Sequence, residues 1–368
     1  MLGDAAKIQQ EDADYLNRKR DKGEPKVEPL YDDRDVYRTL LRLQDVPYDK
    51  PAAVGRGLEA TLTDAGHLLG SAMVHIRIDG PGGGRTLTFT GDRGRPGLPI
   101  LRDPAPVPPA DLLISESTYG GHTHEPVQET AERLGEVVRT TAVRGGKLLI
   151  PAFSVGRTQT VVYFLHHLMN AGKLPDVPIY VDSPLAVRAT EAFRAHPECF
   201  DDKTLRLFQK HPDLFGEQRI QYIDKVNESI ALNGRPGPCV IISASGMCEA
   251  GRILHHLKHN IEDARNTVLI VGFQAPDTLG RRLVEGRPEV RILGRTFKVK
   301  AEVVVLNGLS SHADHHDLMR DLGPLAGKVP KVRLVHGEPE RAAALAEGLT
   351  AAGFADVAAP DRGESVTV

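Results

Sequence analysis

The stretch Leu112-Leu113-Ile114-Ser115-Glu116-Ser117-Thr118-Tyr119-Gly120 decides how this chain folds. Its apolar start predicts a short buried strand, and the strand runs directly into a loop bearing one carboxylate. Toward the N-terminus the same device recurs. Strands predicted over 58–63 and 72–78 enclose Gly66-His67-Leu68-Leu69-Gly70-Ser71. A further strand, 85–90, follows the turn Gly80-Pro81-Gly82-Gly83-Gly84 and ends in Thr90-Gly91-Asp92. Each of these loops carries a side chain suited to metal or acid–base chemistry.

Toward the C-terminus the pattern changes. Continuous apolar runs at 147–150, 179–181, 240–243 and 268–271 alternate with helical segments, which predicts a buried, mainly parallel sheet with crossover helices. Small or polar loops follow each run: Pro151-Ala152-Phe153-Ser154-Val155-Gly156-Arg157, Asp182-Ser183-Pro184, Ala244-Ser245-Gly246-Met247 and Gly272-Phe273-Gln274. Strand carboxyl ends and helix N-termini favour anions, so these loops read either as phosphate sites or as turn chemistry alone. Short strands then return at 302–306 and 331–335, with Ser310-Ser311-His312-Ala313-Asp314, a helix over 315–322, and His336-Gly337-Glu338. Ahead of all this, 4–22 and 33–43 have the spacing of exposed amphipathic helices. The basic cluster Arg18, Lys19, Arg20 and Lys22 is read as a solvated helix face, with phosphate tracking as the alternative.

Composition excludes several classes. With 46 basic and 49 acidic residues the net charge is −3, and 40% of the 368 residues are hydrophobic, which suits a globular protein of two or more domains. That balance argues against bulk electrostatic binding of nucleic acid, although a local basic groove would not register in it. The apolar runs fall well short of the roughly 18 residues needed for a membrane span. Residues 1–11 do not resemble a secretory signal, and Cys199, Cys239 and Cys248 lack C-x-x-C spacing. A cytoplasmic protein without membrane attachment is expected.

His67 in G-H-L-L-G-S, Asp92 in T-G-D, Glu116 in S-E-S-T-Y-G, His312 in S-S-H-A-D and His336 in V-H-G-E come in an order that resembles the metallo-β-lactamase superfamily. The likeness is to its RNA-processing branch, the β-CASP ribonucleases. These bacterial and archaeal enzymes are similar to the nuclease subunit of the eukaryotic mRNA cleavage and polyadenylation machinery. The resemblance extends through Tyr180-Val181-Asp182-Ser183-Pro184 and Gly251-Arg252-Ile253-Leu254-His255-His256-Leu257. It implies an α/β fold: an αββα metallo-β-lactamase sandwich over 1–120 and 306–368, interrupted by a β-CASP insert at 121–305. It also implies a zinc-dependent phosphodiesterase acting on RNA. His67 and His336 would be zinc ligands, with Asp92 the carboxylate bridging two ions in the complete family site. His312 would assist the leaving oxygen, with Glu116 fixing its tautomer. Arg157, Ser245, Gly246 and Arg252 would lie along the RNA backbone. His255 and His256 are candidates to join them, but adjacent helical residues face different ways, so at least one is expected to be structural. A homodimer is a family-level expectation.

One family signature does not occur. H-x-H-x-D-H, which supplies most ligands to both zincs, would precede Met1. His122-Thr123-His124-Glu125 begins like it, but Pro126 and Val127 stand where the Asp and final His belong. His312-Ala313-Asp314-His315-His316-Asp317 has the composition in the wrong order, and His315 and His316 read as exposed helix residues. The expectation is an N-terminally truncated ribonuclease, its opening strands missing, an apolar sheet surface uncovered, one zinc or none bound and activity impaired. The alternative is a catalytically silent RNA-binding or partner subunit. A small-molecule hydrolase ranks third, because the large insert would wall the site from one side. Endonucleolytic or exonucleolytic action, direction and RNA preference are not encoded in these motifs.

Overall fold

Helices α1 (Leu2–Lys19) and α2 (Asp33–Leu40) form a first unit, Met1–Val46, in a computed structural model that describes residues 1–21, 23–80, 83–210 and 213–368. Its buried residues are small: Ala6 and Ala13 of α1 and Val36 of α2. Asp32 caps α2 by accepting the N–H groups of Arg34 and Asp35, while the Asp35 carboxylate accepts the N–H of Asp32. Helix α2 stops at Leu40, short of the expected 43. Arg18 and Lys19 are exposed on α1, as a solvated face requires, and Lys22 lies outside the described residues.

The second unit, Pro47–Val368, holds two sheets. Strands β1 (Pro51–Gly55), β2 (Leu58–Asp64), β3 (Ala72–Ile78) and β4 (Arg85–Phe89) pair antiparallel in chain order, and β5 (Leu112–Glu116) adds parallel to β4. Pro81 and Gly82 of the expected β3–β4 turn lie outside the described residues. An alternating series follows: α3 (Val127–Val143), β6 (Lys147–Pro151), α4 (Arg157–Asn170), β7 (Ile179–Asp182), α5 (Pro184–Ala195), α6 (Asp202–Lys210), β8 (Ile220–Ile223), α7 (Val226–Gly234), β9 (Cys239–Ser243), α8 (Arg252–Asn260) and β10 (Thr267–Ile270). Helix α9 (Leu279–Val284), the hairpin β11 (Glu289–Ile292) and β12 (Arg295–Lys298), and β13 (Glu302–Val305) complete the insert. The chain closes with α10 (His315–Leu322), β14 (Lys331–Val335), α11 (Pro339–Ala351) and β15 (Val357–Ala358).

The insert sheet has the order β13-β10-β6-β9-β7-β8, and every neighbouring pair is parallel. Burial on both faces explains the continuous apolar runs. Ile150 and Ile242 enter one core with Val161 and Leu165 of α4, whereas their chain neighbours Leu149 and Ile241 enter the other with Ile253 and Leu257 of α8. Strand β13, grouped by sequence with the closing strands, pairs instead with β10 through Thr267 and Glu302.

The first sheet has the order β1-β2-β3-β4-β5-β14-β15, so β14 returns from beyond the insert to lie parallel beside β5. Leu113, Val332 and Leu334 pack one face against Leu318 of α10 and Leu345 of α11. The other face is partly buried. Register places Leu62, Val74, Phe89 and Ile114 in one row across it, and Phe89 is 39% exposed. Among the described residues, no helix is long and apolar enough to cross a membrane.

Candidate metal centre and its histidines

Strand direction assembles the site. Strands β2, β4, β5 and β14 all run the same way, so their carboxyl ends share one edge of the sheet. The chain leaving that edge carries His67, Asp92, Glu116 and His336.

The His67 loop is held tightly. Ser71 Oγ accepts the N–H groups of His67 and Leu68, both at 3.1 Å, and Gly94 N–H donates to Ala65 O at 2.7 Å. A Cβ on Gly94 would lie 2.1 Å from Gly66 O, so only glycine permits this approach. His67 is 9% exposed, and among the described residues its Nδ1 is buried without a partner. Burial, with His312 beside it, pushes its pKa down to about 4 and keeps the ring neutral, the form that binds a cation.

His67 Nε2 and His336 Nδ1 approach opposite oxygens of Asp92, at 3.8 and 3.1 Å. His336 has φ +56°, a left-handed conformation locked from behind: Thr118 Oγ1 donates to His336 O at 2.9 Å. A Cβ on Gly337 would sit 2.4 Å from Ser117 Oγ. Between the two imidazoles stands His312, its ring centroid 4.3 Å from His67 and 5.7 Å from His336. His312 Nδ1 lies 3.0 Å from Glu116 Oε2, so Nδ1–H donates and Nε2 is the nitrogen left for chemistry. Burial alone would push Glu116 up. Hydrogen bonds from His312, Thr118 and the Arg93 N–H outweigh it and hold the carboxyl below the usual range.

Donor atoms of His67, Asp92 and His312 lie within 4.8 Å of one another, and so do those of Glu116, His312 and His336. Two imidazoles facing one carboxylate form a donor set that fits zinc. His312 belongs to both groups, so geometry permits it as a ligand as well as an acid.

Four further residues, to which the motifs assigned no role, hold this arrangement. Arg93 is 1% exposed: Nε donates to Asp321 at 2.7 Å, Nη2 to Ala105 O at 2.9 Å, and its backbone N–H to Glu116. Arg95 donates to Gly308 O and to Glu125 O, each at 2.7 Å, tying the chain's entry into the insert to its exit. His124 Nε2 lies 3.2 Å from His312 O, and its N–H donates to Asp314 Oδ2 at 2.9 Å. Asp314 in turn caps α10 with Asp317. Burial, with the Arg95 charge, pushes His124 down to about 4. The segment that only begins like the metal motif thus braces His312. His315 Nδ1 accepts the Gly121 N–H, and His316 is exposed.

The insert residues divide. A Cβ on Gly156 would meet the Leu68 side chain and one on Gly246 would meet Phe153, so the β6–α4 and β9–α8 loops reach the His67 loop in succession. Ser245 Oγ closes its own turn by accepting the N–H groups of Glu249 and Ala250, both at 3.1 Å. Both guanidinium groups are engaged within the chain. Arg157 donates to Val271 O and Leu309 O, and burial pushes it down to about 10. Arg252 donates to the fully buried Asp182 at 2.7 Å and to Asp224 O at 2.6 Å. His256 is the structural member of its pair, with Nε2 2.6 Å from Asp182 and Nδ1 2.9 Å from Asn233, while His255 is exposed.

Comparison with known proteins agrees with this architecture. Residues 158–283 match the Beta-Casp domain, and 296–360 match the Zn-dependent metallo-hydrolase RNA specificity domain. The chain is 38% identical to ribonuclease TTHA0252 of Thermus thermophilus, covering 93% of this chain and 76% of that protein. It is 32% identical to an RNase J-like protein of Methanocaldococcus jannaschii, over 84% of this chain and 70% of that one. Against transcription termination factor FttA of Methanosarcina mazei it is 33% identical over 87% of its own length, and spans 51% of that protein. With the parallel insert sheet and the histidine–carboxylate edge, these matches establish that the chain belongs to the β-CASP ribonuclease family of the metallo-β-lactamase superfamily, whose members are metal-dependent hydrolases.

Proposed function

We propose that this chain is the RNA-hydrolysing part of a zinc-dependent ribonuclease. The observation that carries the reading is Asp92 bracketed by His67 and His336, with His312 held against Glu116 between them. Zinc bound there would supply Lewis acidity toward a phosphoryl oxygen and activate water. His67 and His336 orient Asp92, and the His67 ring, neutral by burial, offers its lone pair. His312 delivers a proton from Nε2 to the departing ribose oxygen while the Glu116 carboxylate accepts Nδ1–H and orients the ring. The β6–α4 loop of the insert, against Leu68 of the His67 loop, and the β9–α8 loop, against Phe153, would flank the polymer.

Three protein donors, without H-x-H-x-D-H among these 368 residues, set the expected metal content at one zinc or none and the activity of these residues alone at a low level. Equilibrium dialysis that recovers two tightly held zincs per chain would overturn this. Replacing His312 by Ala should reduce zinc-dependent RNA cleavage by about 100-fold or more; cleavage at the parental rate would remove it from the mechanism. The same donor count favours a second reading, a silent RNA-binding or partner subunit. RNA affinity that survives Asp92→Ala, with no cleavage under any metal, would select it. The free Cys199, Cys239 and Cys248 suit a reducing compartment, and a cytoplasmic location belongs to the same proposal.

A further inference from the structure

The chain is slightly acidic overall, yet residues 287–300 carry Arg287, Arg291, Arg295, Lys298 and Lys300 against Glu289 alone, a local net charge of +4 where the whole protein has −3. This segment is the β11–β12 hairpin and its flanks, and all five cations are exposed. It falls mostly between the two family matches, which end at 283 and resume at 296.

The hairpin is anchored on one side and open on the other. Val290 and Ile292 are 3% and 1% exposed, in the core shared with Leu257 and Leu283. Alternation along the strand therefore turns Arg291 outward, opposite Thr296, and Lys298 outward, opposite Glu289. Arg287 is tied to Glu285 at 3.4 Å. Among the described residues, no ion pair or hydrogen bond engages the side chains of Arg291, Arg295, Lys298 or Lys300. Glu289, across the hairpin from Lys298, is the one acidic residue of the segment, so the patch keeps a net positive charge.

The tip adds a second observation. Leu293 and Gly294 make the two-residue turn, and Leu293 has φ +48°, where asparagine or glycine would sit without strain. Its side chain is 50% exposed and fills no core. Strain retained at an exposed apolar tip flanked by two arginines points to a contact outside the chain. An acidic protein partner would ask for a broad apolar centre and a membrane surface for a broad apolar face. One leucine among unpaired cations suits a single-stranded polyanion whose phosphates meet the cations and whose bases meet the tip.

We infer that the β11–β12 hairpin is a second RNA-binding site outside the metal centre, with Arg291, Arg295 and Lys298 on the phosphates and Leu293 against a base. This rests on the reading of RNA as the substrate. The test is fluorescence anisotropy of the 368-residue chain with a labelled single-stranded RNA across a KCl series. The variants are Arg291→Gln/Arg295→Gln/Lys298→Gln and, separately, Leu293→Gly. Three lost phosphate contacts should flatten the slope of log K against log salt by about 2, at about 0.7 per contact, and weaken binding at low salt by about tenfold or more. Leu293→Gly relieves the turn and should weaken binding with the slope unchanged. Parental binding with an unaltered triple variant overturns the hairpin and leaves the ribonuclease reading intact. No RNA binding by the parent overturns both. Loss of binding to phosphatidylserine vesicles with RNA binding unaltered assigns the hairpin to membranes and overturns the inference.

Discussion

Replacing Arg93 by Met is the perturbation with the sharpest consequence. Its guanidinium is buried beneath the site, and methionine keeps much of its length while removing every side-chain donor. Two losses can be weighed. The charged hydrogen bond to Asp321 at 2.7 Å contributes about 1.5–3 kcal/mol, and leaving Ala105 O without its donor costs about 1–3 kcal/mol more. Asp321 retains Arg320 at 3.0 Å and is 14% exposed, so the upper figures do not apply. The expected loss is about 3 kcal/mol, the low end of the range for a broken buried pair. Urea unfolding followed by far-UV circular dichroism measures it, since the chain has no tryptophan to report. Removing the carboxylate as well, in Arg93→Met/Asp321→Leu, should restore about half of the loss, because no buried charge is left unmatched. A single-variant loss below about 1 kcal/mol, or a double variant no better than the single, would refute the claim that this ion pair supports the site.

Other consequences can be checked with simpler readouts. Asp92→Asn should weaken zinc binding by at least about tenfold in competition with a chromophoric chelator; an unchanged affinity would show that Asp92 holds no metal. Gly337→Ala should lower stability by about 1–3 kcal/mol, because its Cβ meets Ser117 Oγ, and an unaltered melting temperature would contradict that contact. His124 is held neutral down to about pH 4 when folded but takes up a proton near 6.5 when unfolded. Its contribution is therefore complete above about pH 6.5 and is lost as pH falls toward 4, by about 3 kcal/mol at most. The parental protein should lose stability over that window more steeply than His124→Gln; parallel curves would mean that His124 is not buried neutral.

Legibility followed distance along the chain. His67, Asp92, Glu116 and His336 stand at or just after the ends of apolar strands, so local pattern located them, and strand direction brings them to one edge. The insert sheet was readable because double burial leaves unbroken apolar runs, whereas the four-residue edge strand β8 has too little of such a run to register. Arg93 escaped because its partner Asp321 lies 228 residues away. The intramolecular partners of Arg157 and Arg252 escaped for a related reason: an arginine in a loop after a strand is equally suited to a phosphate or to backbone carbonyls. For Arg157 the carbonyls are those of Val271 and Leu309, 114 and 152 residues further on. His124 sits in a motif it does not complete, and its bond to His312 O has no sequence signature.

Arg95 also determines how separable the insert is. Because one guanidinium reaches both Glu125 O and Gly308 O at 2.7 Å, those two points are no more than about 8 Å apart. A link of about three residues, roughly 10 Å when extended, would bridge the gap. The two ends of the insert thus lie side by side, while Leu309 and Ile100 share its core, so the insert is tied to the chain on either side of it by packing as well as by this one guanidinium.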